Sequence, residues 1–258
     1  MSHIIAVAGK GGTGKTTLCG LIIDYLCSSG ASPVLAVDAD ANSNLNEVLG
    51  VKISTTLGEI REEVAAADLG EESPVPAGVS KQEYMDYRFN AALSEEDQFD
   101  LLVMGRTQGK GCYCFVNGLL QAQVGRFAGK YKYIIVDNEA GMEHVSRGVL
   151  PEVNTIFLVS DCSRRGIQAA GRIAELITEV GLKPETVRLI INRAPEEGPS
   201  QTVLSEVEAQ GLRLAGVVPQ DVQVYEYDSE GLPTSKLPED SKARLAVAEI
   251  LKEVLKGG

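Results

Sequence analysis

Short apolar runs alternate along the chain with longer stretches whose apolar residues recur at helical spacing. The pattern predicts strands at 3–8, 33–37, 99–104, 133–136, 155–160, 187–191 and 212–217, and helices at 17–28, 115–127, 167–180, 201–209 and 241–255. The strands are continuously apolar, not alternating, as befits strands buried on both faces. Strands of this kind separated by helices imply an α/β fold, a mostly parallel central sheet with helices on both faces in three layers. A Glu- and Ala-rich stretch at 59–72, followed by Ser-Pro-Val-Pro-Ala-Gly, departs from this rhythm. It reads as a helix opening a surface excursion over about 59–98, its acidic residues forming a solvated face. With no linker, repeat or low-complexity tract, residues 1–258 are expected to form one domain.

Composition narrows the function classes. A hydrophobic share of 44% supports a packed core, and a net charge of −12 argues against bulk electrostatic binding to nucleic acid or to an anionic membrane. The apolar runs are too short to span a bilayer, and the first leads straight into a Gly-rich loop, unlike a signal peptide. Five cysteines cannot form a fully paired disulfide framework, and a chain of this length needs no staples, so a reducing, cytoplasmic setting is expected.

The Gly-rich loop carries the clearest chemistry. Gly9-Lys10-Gly11-Gly12-Thr13-Gly14-Lys15-Thr16-Thr17 lies between a predicted strand and a predicted helix and matches G-x-x-x-x-G-K-[ST]. The glycines let backbone N–H groups curl round an anion, and the helix N-terminus adds partial positive charge. Lys15 is expected to reach the β- and γ-phosphates, and Thr16 to ligate Mg²⁺. The strand at 133–136 ends in Asp137, the expected magnesium carboxylate acting through water; Gly141 offers a backbone N–H.

Cys112 and Cys114 form a second candidate site. In an extended backbone a C-x-C pair presents both sulfurs to one side. A tetrahedral thiophilic site takes four ligands, and one chain supplies two here. Two protomers would complete it on a two-fold axis, one metal per dimer; two thiols without a ligand are the alternative. Cys19, Cys27 and Cys162 read as core thiols. His144 and the Arg164-Arg165 pair read as surface or helix-start residues.

The extra lysine gives the loop a family likeness. Gly9-Lys10-Gly11-Gly12-Thr13-Gly14-Lys15-Thr16 resembles the deviant Walker A loop of the MinD/ParA/nitrogenase-iron-protein class of P-loop NTPases. Asp38-Ala39-Asp40-Ala41-Asn42-Ser43-Asn44 resembles its first switch, and 137–141 its second, with Asn138-Glu139 where the class carries Thr-Pro. The resemblance implies an ATP-hydrolysing homodimer in which Lys10 reaches the partner's nucleotide and Asp40 positions the attacking water. Asp38 is left to cap the segment after it. The resemblance also implies that Asn192 reads the adenine and that the segment ending at Pro219-Gln220-Asp221 flanks it.

Within the class, the switch Asp38-Ala39-Asp40-Ala41-Asn42-Ser43-Asn44-Leu45, the segment Met104-Gly105-Arg106 leading to Gly111-Cys112-Tyr113-Cys114, and Val159-Ser160-Asp161-Cys162 resemble the CooC family. These are nickel-insertion accessory ATPases of anaerobic carbon monoxide dehydrogenase. The likeness implies ATP/ADP and Mg²⁺ at the loop, Ni²⁺ or Zn²⁺ on Cys112 and Cys114, and that dehydrogenase as client, with no nucleic-acid or membrane partner. Two other readings stand beside it: a MinD/ParA-type positioning ATPase, for which the helix at 241–255 would be the membrane contact, and an Fe–S-bridged redox ATPase resembling the nitrogenase iron protein.

Overall fold

The computed structural model describes residues 2–68, 75–76, 78–106, 118, 121–122, 124–127, 129–138 and 153–255. Among these, eight strands form one sheet: β1 (His3–Gly9), β2 (Val34–Ala39), β3 (Ser94–Glu95), β4 (Phe99–Val103), β5 (Tyr133–Asn138), β6 (Thr155–Ser160), β7 (Thr186–Ala194) and β8 (Leu214–Pro219). Their spatial order is β3-β4-β2-β5-β1-β6-β7-β8. Every pairing is parallel except β3 with β4 at the edge. The expected α/β fold is the observed one.

Both faces are covered, which explains the continuously apolar strands. Along β1, Ile5 and Val7 point to one core and Ile4, Ala6 and Ala8 to the other. The first core is closed by α1 (Lys15–Ser28) through Leu18, Ile22 and Leu26, and by the C-terminal α8 (Lys242–Leu255) through Val247, Ile250 and Leu251. The second is closed by α3 (Leu57–Asp68), α4 (Lys81–Ala91), α5 (Arg164–Glu179) and α6 (Gln201–Ala209). Two short helices sit near the strand ends: α2 (Leu45–Leu49) and α7 (Val222–Ser229).

Several elements depart from the sequence pattern. β2 and β5 run on to Ala39 and Asn138, which carries Asp38 and Asp137 into the sheet. The last strand lies at Leu214–Pro219, two residues later than expected. Within the excursion, α4 begins in a capping box between Ser80 and Glu83, and β3 adds an antiparallel edge. Its acidic face carries partly solvent-exposed ion pairs: Arg88 donates to Glu63 at 2.6 Å, and Arg126 to Asp86 at 2.9 Å. Of the helix expected at 115–127, residues 118, 121–122 and 124–127 are helical, and the others lie outside the described residues. Among the described residues no helix is long and apolar enough to cross a membrane.

Candidate functional site

The C-terminal ends of β1, β2 and β5 converge on one place, and the loop after β1 is built to leave its amides free. Gly9 is required by strand packing, since a Cβ there would lie 2.3 Å from the Val159 carbonyl oxygen on β6. Gly12 and Gly14 take φ values of 80° and 85°, the left-handed region glycine tolerates. Asn192 at the end of β7 donates through Nδ2 to the Thr13 carbonyl at 2.8 Å. Arg193 Nη1 donates to the Gly12 carbonyl at 3.3 Å, and Thr13 Oγ1 to the Lys10 carbonyl at 2.9 Å. In a trans peptide the N–H points opposite to the C=O. With these carbonyls held by protein donors, the N–H groups of Gly11, Thr13 and Gly14 face the other way.

Lys15 opens α1, 8% exposed, with Nζ 3.5 Å from the Lys10 carbonyl oxygen. Lys10 itself is exposed. The Lys15 ammonium lies inside the loop, and the Lys10 side chain projects from it.

Two carboxylates lie beneath the loop. Parallel pairing of β2 with β5 places Asp38 opposite Asp137. Asp38 is fully buried and accepts from the Asp40 N–H and the Leu45 N–H, each at 3.0 Å, so it does cap the segment after it. Burial and the neighbouring Asp137 charge push its carboxyl up to about 7, against the pull of those two amides. Burial pushes Asp137 up to about 6, while the Thr16 hydroxyl and the Lys15 ammonium pull it down. Asp137 Oδ1 has no hydrogen-bond partner among the described residues. An orphaned, buried carboxylate oxygen beside a hydroxyl is suited to a hard divalent cation and its water, so Thr16 and Asp137 fit Mg²⁺. Asp40, half-buried, holds the Asn42 N–H at 2.8 Å through Oδ1.

Two cavities flank the loop. One of about 620 Å³ is lined by Gly12, Lys15, Thr16, Asp40 and Asn42 among others. The other, about 440 Å³, is lined by Asn192, Val218, Pro219, Asp221 and Tyr225 among others. Thr17, Arg193, Val224 and Asp228 line both, so the two are compartments of one cleft. Asp221 caps α7 by accepting from the Gln223 N–H at 3.0 Å, and ties it to α8 by accepting from Ser241 Oγ at 2.7 Å.

Of the residues singled out in the sequence, Gly11, Gly12, Gly14 to Thr17, Asp40, Asn192 and Pro219 line this cleft, while Asp137 is buried beneath the loop and Lys10 is exposed. Cys112, Cys114, Gly141 and His144 lie outside the described residues, so the structure does not bear on them. Among the described residues no group of three or more His, Cys, Asp or Glu is placed to hold a metal. Cys19 and Cys27 are buried as expected; Cys162 is only partly so. Cys19 is more than packing, because its thiol is turned toward Asp137, and burial with that charge raises it well above the ordinary thiol range. Its i, i+3 spacing from Thr16 on α1 was the available signal. Arg164 is engaged, donating to Glu206 at 2.7 Å. Arg193 was missed: its φ of 55° aims it back at the loop, and nothing in its sequence setting announces that.

Comparison with known proteins gives consistent relatives. Residues 4–234 match the CbiA family, described as the CobQ/CobB/MinD/ParA nucleotide binding domain. An uncharacterized ATP-binding protein of Methanocaldococcus jannaschii is 38% identical over 252 residues, 98% of each chain. The carbon monoxide dehydrogenase accessory protein CooC of Rhodospirillum rubrum is 29% identical over 268 aligned positions, covering 97% of each. Among solved structures, the septum site-determining protein MinD of Pyrococcus horikoshii, complexed with Mg-ADP, superposes with a TM-score of 0.72 at 24% identity. The match covers 100% of this chain and 98% of that one.

Proposed function

The chain belongs to the CobQ/CobB/MinD/ParA nucleotide-binding family and is an ATPase of that family's P-loop type, and from that premise we propose that it is a metal-handling ATPase that dimerises around ATP. The loop amides and Lys15 hold the β- and γ-phosphates, and the compartment at Asn192 and Pro219 takes the adenine. Thr16 and Asp137 are the residues that would hold Mg²⁺, Asp137 through water, and the ion would supply positive charge to the phosphates. Asp40 orients the attacking water. It need not be a strong base, because phosphoryl transfer demands positioning and charge stabilisation more than proton abstraction. Lys10, exposed at the lip of the cleft, reaches the partner's nucleotide and adds a second positive charge there.

The metal is cargo. Cys112 and Cys114 of each protomer supply four thiolates to Ni²⁺ or Zn²⁺ on the dimer axis, so nucleotide state and metal occupancy are linked through dimerisation. Carbon monoxide dehydrogenase is the client on this reading, and the cytoplasm its place of work. The observation that carries it is the Cys112-Tyr113-Cys114 pair in a chain aligned nearly end to end with a carbon monoxide dehydrogenase accessory protein.

The test is Ni²⁺ and Zn²⁺ titration of the full chain with size measurement, with and without ATP. One metal per dimer, lost in Cys112→Ser/Cys114→Ser, supports the reading; unchanged affinity in that variant refutes it. Lys10→Ala should remain monomeric with ATP, and a normal ATP-dependent dimer would remove its role in trans.

A positioning ATPase is the second reading, favoured by the MinD likeness in fold. Against it, α8 buries Ala243, Val247, Ile250 and Leu251 in the core, so that its apolar face is already occupied. ATP-dependent co-sedimentation with liposomes or DNA would revive this reading.

A further inference from the structure

Asn42 is the partition between two spaces. It lines the phosphate-side cavity, and it also lines a groove of about 670 Å³ bounded by Thr56, Glu59, Arg88, Gly105 and Arg106. Its backbone and side chain are held from opposite sides. The N–H donates to Asp40 Oδ1 at 2.8 Å, and the amide oxygen accepts from Arg106 Nη2 in a short contact. Ser43 follows with a φ of 47° and donates its N–H to the Asp40 carbonyl at 3.1 Å. The loop is therefore a tight turn around Asp40, and its free flank rests on one guanidinium.

The backbone that carries that guanidinium is held by its own surroundings. The Met104 N–H donates to the Asp38 carbonyl at 2.8 Å, extending the β2–β4 ladder past the end of β4. Gly105 turns the chain with a φ of 70°, and a Cβ there would lie 2.5 Å from Thr56. The Gly58 N–H donates to the Met104 carbonyl at 2.8 Å, and a Cβ on Gly58 would come 2.5 Å from the Arg106 carbonyl oxygen. The backbone at Arg106 is thus wedged between β2 and the start of α3, while its side chain projects, exposed, onto the switch loop. Such a base cannot move without disturbing the strand that carries Asp38.

We propose that Arg106 is a positioning residue for hydrolysis: through Asn42 it holds the 40–44 loop, and with it Asp40, at the phosphate cavity. A carboxylate that already accepts one backbone N–H keeps its orientation only if that N–H stays put, and Arg106 fixes the residue that donates it. The inference rests on Asp40 being the group that orients the attacking water. The same contact ties the switch loop to the exit of β4, from which the chain runs on toward Cys112 and Cys114.

Steady-state Mg-ATP hydrolysis by the full chain tests this, with Arg106→Ala, Arg106→Lys, Asn42→Ala, the Arg106→Ala/Asn42→Ala double variant and Asp40→Asn. Arg106→Ala and Asn42→Ala should each lower kcat about tenfold with KM for ATP within about twofold, as expected for a lost hydrogen bond to a charged group. The double variant should lose no more than either single one, and Arg106→Lys should recover part of the rate. Wild-type kcat in Arg106→Ala, or losses that multiply in the double variant, would overturn the proposal. Asp40→Asn working at the wild-type rate would overturn the water-positioning reading beneath it. An inactive Asp40→Asn beside an unimpaired Arg106→Ala would overturn the role of Arg106 alone.

Discussion

The phosphate loop and the switch loop lie side by side at the ends of β1 and β2, yet they are held in opposite ways. The first is anchored by its carbonyls: Asn192, Arg193 and the Thr13 hydroxyl bond to three of them, while Gly9 and Gly14 leave room for close neighbours and Gly12 and Gly14 take positive φ. These contacts leave its amides free and depend on no charged group in the ligand. The second is anchored through carboxylates, which the first loop lacks: Asp38 holds the Asp40 and Leu45 amides and Asp40 holds Asn42, while a guanidinium serves each loop, Arg193 in the first and Arg106 on Asn42 in the second. Contacts to charged groups change strength when a phosphate or a divalent cation arrives. The first loop is a preformed cradle, and the second can respond to what the cradle holds.

The largest break in this comparison is at Lys15. Lys15→Ala should lower ATP hydrolysis by about 10³-fold, measured by phosphate release, because an internal charge on the cradle side is lost. Asp40→Ala acts on the responsive side and should lower kcat by about 10²-fold while leaving KM for ATP within about twofold. Equal loss in kcat and affinity would mean that the two loops are not separable.

Asp137→Asn sharpens the comparison through pH. Asp38 sits at about 7 and Asp137 at about 6 in the fold, both above an unfolded carboxylate at about 4. Above pH 7 both states are deprotonated, and the native state carries the full cost of two buried, facing charges. As pH falls from about 7 toward 4 the native protein takes up protons that the unfolded chain does not, so this pair adds stability. Without nucleotide or metal, Asp137→Asn should therefore raise stability by roughly 2 kcal/mol at pH 8, by about half of that at pH 5 and by little below pH 4, read by urea melts. The smallest effect is expected at Asn192. Asn192→Ala should cost about 1 kcal/mol of stability, because the Thr13 carbonyl loses its donor, and should weaken ATP affinity without a separate effect on kcat.

The legibility of these regions follows the same division. The cradle could be read because its physics is local: Gly12 and Gly14 are needed where φ is positive, and Lys15 and Thr16 follow at the helix start. The sheet was legible for a similar reason, since burial on both faces leaves runs such as Ile4–Ala8 with no polar position. Asp38 was read only as a cap, because the charge opposite it comes from a residue 99 positions later through the β2–β5 register. Arg193 and Cys19 were undervalued in the same way. α7 escaped because its residues are uniformly half-polar and it owes its place to Asp221, which also bonds Ser241 on the approach to α8. The capping box at Ser80 was visible in the chain and went unread within the excursion.

By itself the sequence determined the fold class and the phosphate loop, and offered the cysteine pair as a candidate, because each depends on residues adjacent in the chain or on a repeating burial pattern. Only the tertiary structure decided which carboxylates face each other, what holds the loop carbonyls, and that Arg106 reaches the switch loop. Those are meetings of strand ends and loops distant in sequence, and their strength depends on burial and on neighbouring charge, neither of which is written at any single position.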